Sequence, residues 1–178
     1  MTRILLADDS PHAQRMGERI LQEEGYEVVS VTDGETALIR LADVDPDLIL
    51  ADAFLPGRSG FDICREVKRN TRFKHVRVVL TAGVLEPFDE QKAAEAGSDG
   101  WIKKPFEASI VLDTIKPLLE ASKLDREAEL RRAAQAQGIE EDPLDPERIR
   151  AAVTVALDRA LPSLVEEISS RILNQLKK

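Results

Sequence analysis

The sequence predicts a doubly wound α/β fold with a five-stranded parallel sheet, followed by an α-helical tail. Five short, largely apolar runs with β-branched residues and turn-forming flanks recur along the first two thirds of the chain: RILLA at 3–7, YEVVSV at 26–31, DLILA at 47–51, VRVVLT at 76–81 and DGWIK at 99–103. Segments with the helical spacing of apolar residues separate these runs. Strands that alternate with helices pair in parallel through right-handed crossovers.

The predicted helices are bounded by residues that favour helix ends. The first three end before Gly25, Pro46 and Asn70, and the fourth, QKAAEAG, ends at Gly97. The fifth, FEASIVLDTIKPLL, contains Pro117. Because proline has no backbone N–H, we expect this residue to kink or shorten the fifth helix.

The composition narrows the classes of partner. The chain has 178 residues, enough for one domain with an appendage or for two small domains. Its formal net charge of -8 disfavours general attraction to DNA, RNA or anionic membranes, because that attraction needs a basic surface. Cys64 is the single cysteine, and the sequence shows neither a basic and apolar leader nor an apolar run of membrane-spanning length. We therefore expect a soluble cytoplasmic protein without nucleic acid partners or membrane insertion.

Polar residues stand at the carboxyl ends of four predicted strands. Asp8 and Asp9 follow the first strand, Asp52 the third, Thr81 the fourth and Lys104 the fifth. In open parallel sheets, ligands bind beyond the carboxyl ends of the strands. The sequence therefore predicts that all five side chains gather at one edge of the sheet.

Three carboxylates at one edge repel one another strongly. Two carboxylates about 4 Å apart repel by roughly 4 kcal/mol at an effective dielectric of 20. Either some of these groups carry protons or a cation lies among them. Oxygen ligands with no His or Cys beside them favour Mg²⁺. Helix capping alone would account for Asp8 and Asp9, but it does not account for Asp52 and Lys104 at the same edge.

Several short motifs accompany these residues. Asp52 is followed by Leu55-Pro56 and Gly60, Thr81 by Ala82, and Lys104 by Pro105-Phe106, while AGSDGW precedes the last strand. In their order and spacing, these motifs resemble those of the receiver domains of two-component response regulators, including the single-domain chemotaxis type. The resemblance covers roughly residues 1 to 120 and implies a flavodoxin-like sheet with strand order 2-1-3-4-5.

The resemblance also implies a chemical role for the acidic residues. Asp52 is implied to accept a phosphoryl group from a phosphohistidine on a sensor histidine kinase or phosphotransfer protein. Asp9 and Asp52 are implied to bind Mg²⁺ directly, together with the backbone carbonyl of Phe54, and Asp8 is implied to bind it through water.

The resemblance assigns the remaining site residues to charge stabilisation and switching. Lys104 and Thr81 are implied to hold oxygens of the phosphoryl group, and Trp101 stands where the family carries a switching aromatic residue. The Lys104-Pro105 bond is implied to be cis. From the residues alone, Thr81 also suits an ordinary β-branched strand position, and Trp101 also suits a half-buried packing position.

The two histidines are predicted to be exposed. His12 follows Pro11 at the expected start of the first helix, where a solvent-facing residue is favoured over a phosphate relay. His75 lies in a basic turn near Arg72 and Lys74 and is predicted to lie at the surface.

The sequence predicts three regions along the chain: residues 1–121 as the receiver, 122–145 as a helical or flexible linker, and 146–178 as an amphipathic helical segment. An apolar stripe runs through the last region, formed by Leu161, Leu164, Ile168, Ile172 and Leu176. It is expected to be covered by the receiver, by a second copy of the chain in a homo-oligomer, or by a partner protein.

The predicted function is a signalling switch rather than an enzyme that acts on a separate substrate. Its chemistry is Mg²⁺-dependent self-phosphorylation and self-dephosphorylation, and its output is protein contact. A DNA-binding response regulator is the first alternative. A phosphatase with an aspartate nucleophile is a remote one, because that class needs Asp-x-Asp where this chain has Asp52-Ala53-Phe54.

Overall fold

A computed structural model of the chain describes residues 2–136 and Arg150, and its sheet contains five parallel strands in the order β2-β1-β3-β4-β5. Each strand lies within one residue of its predicted run, and the predicted fold and strand order are confirmed. The strands are β1 Arg3–Ala7, β2 Glu27–Val31, β3 Leu48–Asp52, β4 Arg77–Ala82 and β5 Gly100–Lys103.

Within residues 2–136, five α-helices connect or follow these strands. They are α1 Pro11–Glu23, α2 Gly34–Val44, α3 Gly60–Arg69, α4 Glu90–Ala96 and α5 Ala108–Ala136. A side-chain oxygen caps the first turn of each of the first four helices, from Ser10, Asp33, Ser59 and Asp89 in turn. These caps satisfy backbone N–H groups that have no partner within the helix.

Helices cover both faces of the sheet. Along β1, Leu5 and Ala7 point into the core formed with α2, α3 and α4, whereas Ile4 and Leu6 point into the core formed with α1 and α5. A strand buried on both faces needs apolar residues at nearly every position. This requirement explains why the strands appear in the sequence as continuous apolar runs.

The strand register aligns the carboxyl ends of the central strands. Asp52, the last residue of β3, pairs with Thr81 on β4. Gly60, the first residue of α3, lies directly against the end of β3. A Cβ atom at this position would be only 2.4 Å from the carbonyl oxygen of Asp52. The absence of a side chain at Gly60 therefore allows α3 to start beside the end of β3.

Helix α5 continues beyond the predicted fifth helix. It passes through Pro117 and reaches Ala136, so Pro117 does not shorten the helix, whereas the alternative that it kinks the helix stays a prediction. Proline removes one helical hydrogen bond. Ile115 and Leu119, on either side of it, are buried against the sheet, and this packing holds the helix together across the missing bond.

The face of α5 that contacts the rest of the fold changes from apolar to charged along the helix. After the buried Leu119, the same face continues with the buried Ser122 and the partly buried Arg126. Arg126 donates to a carboxylate oxygen of Asp45 at 2.5 Å, and its guanidinium lies 3.2 Å from a carboxylate oxygen of Asp47. Charged groups therefore anchor the helix where apolar residues no longer do.

These contacts belong to a larger set of charges at the amino ends of the strands, which we call the amino-edge charge cluster. Its members are Arg3, Asp45, Asp47, His75, Arg77, Asp125, Arg126 and Glu129. Most of these groups are partly exposed, and three of them belong to the second half of α5.

His75 is buried within the amino-edge charge cluster, with 4% of its surface exposed, so the prediction that it lies at the surface was wrong. Its ring nitrogens lie 3.7 Å from Asp45 and 3.6 Å from Glu129. Burial, together with the nearby charge of Arg126, lowers the pKa of His75 below its ordinary value despite these two carboxylates. The second half of α5, in a region that the sequence predicted only as a helical or flexible linker, supplies two of the charged groups near His75, Arg126 and Glu129.

The predicted boundary at residue 121 stays a prediction, although α5 runs through that position and one compact unit extends as far as Leu130. The predicted apolar stripe at residues 161–176 lies outside the described residues, as does the predicted segment 146–178 except for Arg150. Over the residues that the structure describes, no helix is a candidate for a transmembrane span.

Candidate functional site

Three aspartates meet beyond the carboxyl ends of β1 and β3. One carboxylate oxygen from each of Asp8, Asp9 and Asp52 lies within 4.8 Å of the other two. Asp8 and Asp52 are buried, whereas Asp9 is exposed. Within the described part of the chain, this is the one group of three or more His, Cys, Asp or Glu side chains close enough together to hold a metal ion.

Lys104 joins the aspartates from the end of β5. Its Nζ donates to Asp8 Oδ2 at 3.1 Å and also to Asp52 Oδ2. Burial disfavours the ammonium form, but the hydrogen bonds and negative charges of Asp52 and Asp8 outweigh this effect and raise the pKa of Lys104. Lys104 is therefore a permanent cation near neutral pH.

Asp8 is held on both of its carboxylate oxygens. Oδ2 accepts from Lys104, and Oδ1 accepts from the backbone N–H of Ser10 at 2.9 Å. Burial raises the pKa of Asp8, and it outweighs the hydrogen bond from Ser10 and the charge of Lys104, which lower the pKa. An additional cation would therefore favour the ionised form of this carboxyl group.

Asp52 is oriented by its own turn and by Lys104. Its Oδ1 accepts from the backbone N–H of Phe54 at 2.8 Å, and its Oδ2 accepts from Lys104. The predicted role of the Phe54 carbonyl as a metal ligand stays a prediction. Thr81, 1% exposed, is the residue that pairs with Asp52 on the neighbouring strand.

Trp101 lies on β5 at one end of a row of aromatic rings. It stacks on Phe88 at a centroid distance of 4.7 Å, and Phe88 stacks on Phe61 at 5.8 Å. Phe61 and Phe54 form an edge-to-face pair with ring centroids 6.4 Å apart. Phe54 is two residues after Asp52 in the chain. The row extends from Trp101, which is 37% exposed, to the neighbourhood of Asp52.

The structure brings most of the predicted site residues together. Asp8, Asp9, Asp52 and Lys104 form one cluster, and Thr81 adjoins it through strand pairing. Trp101 contacts the aromatic row rather than this cluster. The Lys104-Pro105 peptide bond is cis, as predicted.

Two polar side chains near the site were not identified from the sequence. Gln14, on α1, donates to the backbone carbonyls of Asp8 and Val31. Glu86, in the loop after β4, accepts a hydrogen bond from the backbone N–H of Gly83. Gln and Glu are common at exposed positions, and neither Gln14 nor Glu86 belongs to a sequence motif that would indicate a functional role.

The site residues are carried by a region with known relatives. The family model described as the response regulator receiver domain matches residues 4–116. The protein PilG of Pseudomonas aeruginosa is 32% identical over 114 residues, covering 64% of this chain and 84% of PilG. The chemotaxis protein CheY4 of Vibrio cholerae has a structure that matches with a TM-score of 0.61 and 29% identity, covering 66% of this chain and 98% of CheY4.

Other relatives are longer proteins. The DNA-binding response regulator MtrA of Mycolicibacterium smegmatis is 30% identical over 128 residues, which are 72% of this chain and 54% of MtrA. This chain therefore spans about half the length of MtrA.

Proposed function

The chain belongs to the family of response regulator receiver domains of two-component signalling, and we propose that its Asp52 accepts a phosphoryl group from a histidine kinase or phosphotransfer protein. The observation that carries the proposal is the setting of Asp52. Its buried carboxylate lies at the end of a central strand, bonded to Lys104 and within 4.8 Å of two further carboxylates.

In the proposed reaction, a carboxylate oxygen of Asp52 attacks the phosphorus of a phosphohistidine. The new P–O bond forms as the P–N bond breaks, and the bonding electrons leave with the imidazole ring. Phosphoryl transfer depends mainly on positioning and on stabilisation of negative charge. We propose that the ammonium of Lys104 holds one oxygen of the transferred group and that the hydroxyl of Thr81 donates to another.

The aspartate cluster suits a bound Mg²⁺. Its donors are carboxylate oxygens, and three carboxylates face a single ammonium when all are ionised. We propose that Asp9, Asp52 and the carbonyl of Phe54 hold the ion directly, and that Asp8 holds it through water. When bound, the ion would neutralise part of the negative charge on the phosphoryl oxygens.

The proposed output is a change in protein contacts, not turnover of a separate substrate. Thr81 and Trp101 are proposed to report the phosphorylated state, and residues 146–178 are proposed to take part in the output contacts or in self-association. We propose that the protein is located in the cytoplasm. MtrA is named as a DNA-binding response regulator, but this chain covers only about half of its length. No nucleic acid partner is therefore proposed for this chain.

The proposed function is tested by labelling with acetyl phosphate. We expect intact-mass measurement to show addition of one phosphoryl group in the presence of MgCl2. EDTA should prevent the addition, and hydroxylamine should reverse it, because hydroxylamine cleaves acyl phosphates. A chain that gains no phosphoryl group with MgCl2 present, or whose label resists hydroxylamine, would show that the proposal is wrong.

The proposed ligand roles predict unequal effects for the two adjacent aspartates. Asp8→Asn, which alters an outer ligand, should weaken Mg²⁺ binding by roughly 10–100-fold, the range typical of residues around a metal site. Asp9→Asn should weaken binding further, because it alters a direct ligand. Calorimetric titration with MgCl2 measures both effects. Asp43→Asn, at an exposed carboxylate on α2, serves as the control, and equal affinities in all three variants and the parent would contradict these roles.

A further inference from the structure

Gln14 makes two hydrogen bonds that join the ends of two strands. Its Nε2 donates to the carbonyl of Asp8 at 2.7 Å and to the carbonyl of Val31 at 2.9 Å. Asp8 directly follows β1, and Val31 is the last residue of β2. Since carbonyl oxygens only accept hydrogen bonds, the amide nitrogen of Gln14 must face both of them, and both of its hydrogens are used.

These bonds lie where the pairing of β1 with β2 ends. The backbone N–H of Asp8 still donates to the carbonyl of Val31, at 3.1 Å. The chain then turns at Asp9 toward Ser10, which caps α1. Gln14, half-buried in the second turn of α1, therefore supplies one more pair of bonds just beyond the last bond between the strands.

The carbonyl of Asp8 has a geometric link to Asp9. It belongs to the peptide unit that joins these two residues, and a peptide unit is planar. Fixing its oxygen restricts the orientation of the whole plane, including the Cα atom of Asp9. The side chain of Asp8 is separately held by Ser10 and Lys104. Asp9 is exposed, so the peptide plane that Gln14 holds is one of the constraints on where its carboxylate lies, beside the bond from the N–H of Ser10 to Asp8.

We propose that Gln14 is a positioning residue for the metal-binding carboxylates of the receiver. It contacts neither the ion nor the phosphoryl group, and it acts by holding the peptide unit between Asp8 and Asp9. This inference rests on the proposed function, because it assumes that Asp9 is a ligand of Mg²⁺. If Gln14 only joins β1, β2 and α1, its loss should change the stability of the fold but not the affinity of the folded protein for Mg²⁺.

The test compares the full chain with Gln14→Met, which has a similar length but no hydrogen-bond donor. Calorimetric titration with MgCl2 should show binding weakened by roughly 10–100-fold, the range for residues that orient metal ligands. At saturating MgCl2, the rate of labelling by acetyl phosphate should return close to that of the parent, because the reacting groups are unchanged. Gln91→Met is the matched control, since Gln91 donates to Glu95 on the exposed side of α4.

A double-mutant cycle separates positioning from a general structural role. If Gln14 acts through Asp9, Gln14→Met should add little to the loss of affinity already caused by Asp9→Asn. Independent effects would multiply the two losses and overturn the proposal, as would unchanged Mg²⁺ affinity in folded Gln14→Met.

Two further results complete the test. If Gln14→Met does not fold in EDTA, Gln14→Asn takes its place, because its shorter amide should reach one carbonyl and give an intermediate affinity. Parent-like affinity in Gln14→Asn would overturn the proposal. A parent chain that binds no Mg²⁺ would overturn the proposed function as well, whereas normal binding by the parent together with unaffected variants would overturn the role of Gln14 alone.

Discussion

Asp52→Asn should abolish the incorporation of a phosphoryl group from acetyl phosphate. The substitution keeps the shape of the side chain but replaces a nucleophilic carboxylate with an amide that does not form an acyl phosphate. Asp52 lies at the strand end with the ammonium of Lys104 hydrogen-bonded to it, and the other two carboxylates of the cluster are proposed only as ligands of Mg²⁺. Intact-mass measurement with MgCl2 present should therefore show only unmodified protein.

The labelling experiment needs a control for the removal of a negative charge. Asp43→Asn removes one from an exposed pair with Arg40 on α2 and should be labelled like the parent. Peptide mapping of the labelled parent should place the phosphoryl group on the peptide that contains Asp52. Full labelling of Asp52→Asn, or a label mapped to another aspartate, would refute the assignment of the acceptor.

Lys104→Met should lower the free energy of unfolding in EDTA by about 3–5 kcal/mol, the usual loss when one partner of a buried ion pair is removed. The substitution leaves Asp8 and Asp52 buried without their shared cation. Added MgCl2 should recover part of the loss, because a bound cation compensates the same charges. Urea denaturation with EDTA and with MgCl2 measures both effects.

The pH dependence of this loss follows from the pKa of Asp8. Burial already raises that pKa, and removal of Lys104, which lowers it, should raise it further. A carboxyl group with a raised pKa in the folded state contributes stability below its unfolded pKa and loses that contribution as pH rises through the folded value. The deficit of Lys104→Met should therefore shrink as pH falls from neutral into the mildly acidic range.

Lys116→Met is the control for Lys104→Met, because Lys116 pairs with Glu24 at the surface of the fold. Its stability should stay close to that of the parent at every pH. An equal loss in both variants, or a deficit in Lys104→Met that stays constant with pH and MgCl2, would contradict the role of Lys104 as the counterion of the aspartates.

The sheet and the core of the site were predictable from the sequence because both follow from local patterns. Strands buried on both faces appear as apolar runs, and the residue after each run lies at a known edge of a parallel sheet. The sequence alone therefore predicts that Asp8, Asp9, Asp52 and Lys104 lie close together. The structure confirms their proximity.

The residues that were missed depend on partners far away in the sequence. Gln14 is an ordinary helix residue whose importance arises from two carbonyls on different strands. His75 is buried beside Asp45, which follows α2, and beside Glu129, which lies on α5. The regular spacing of buried apolar residues on α5 ends at Leu119. Apolar periodicity therefore does not predict that the helix stays packed against the fold beyond this residue.

The charged second half of α5 makes the anchored length of this helix depend on the ionic strength of the solution. Salt screens partly exposed ion pairs, such as those of Arg126 with Asp45 and of Arg77 with Asp125, whereas it does not weaken the burial of Ile115 and Leu119. Rising salt should therefore weaken the anchoring of residues 125–130 before it affects the first turns of the helix. The point at which the chain leaves the receiver is then set by the surrounding electrolyte as well as by the sequence.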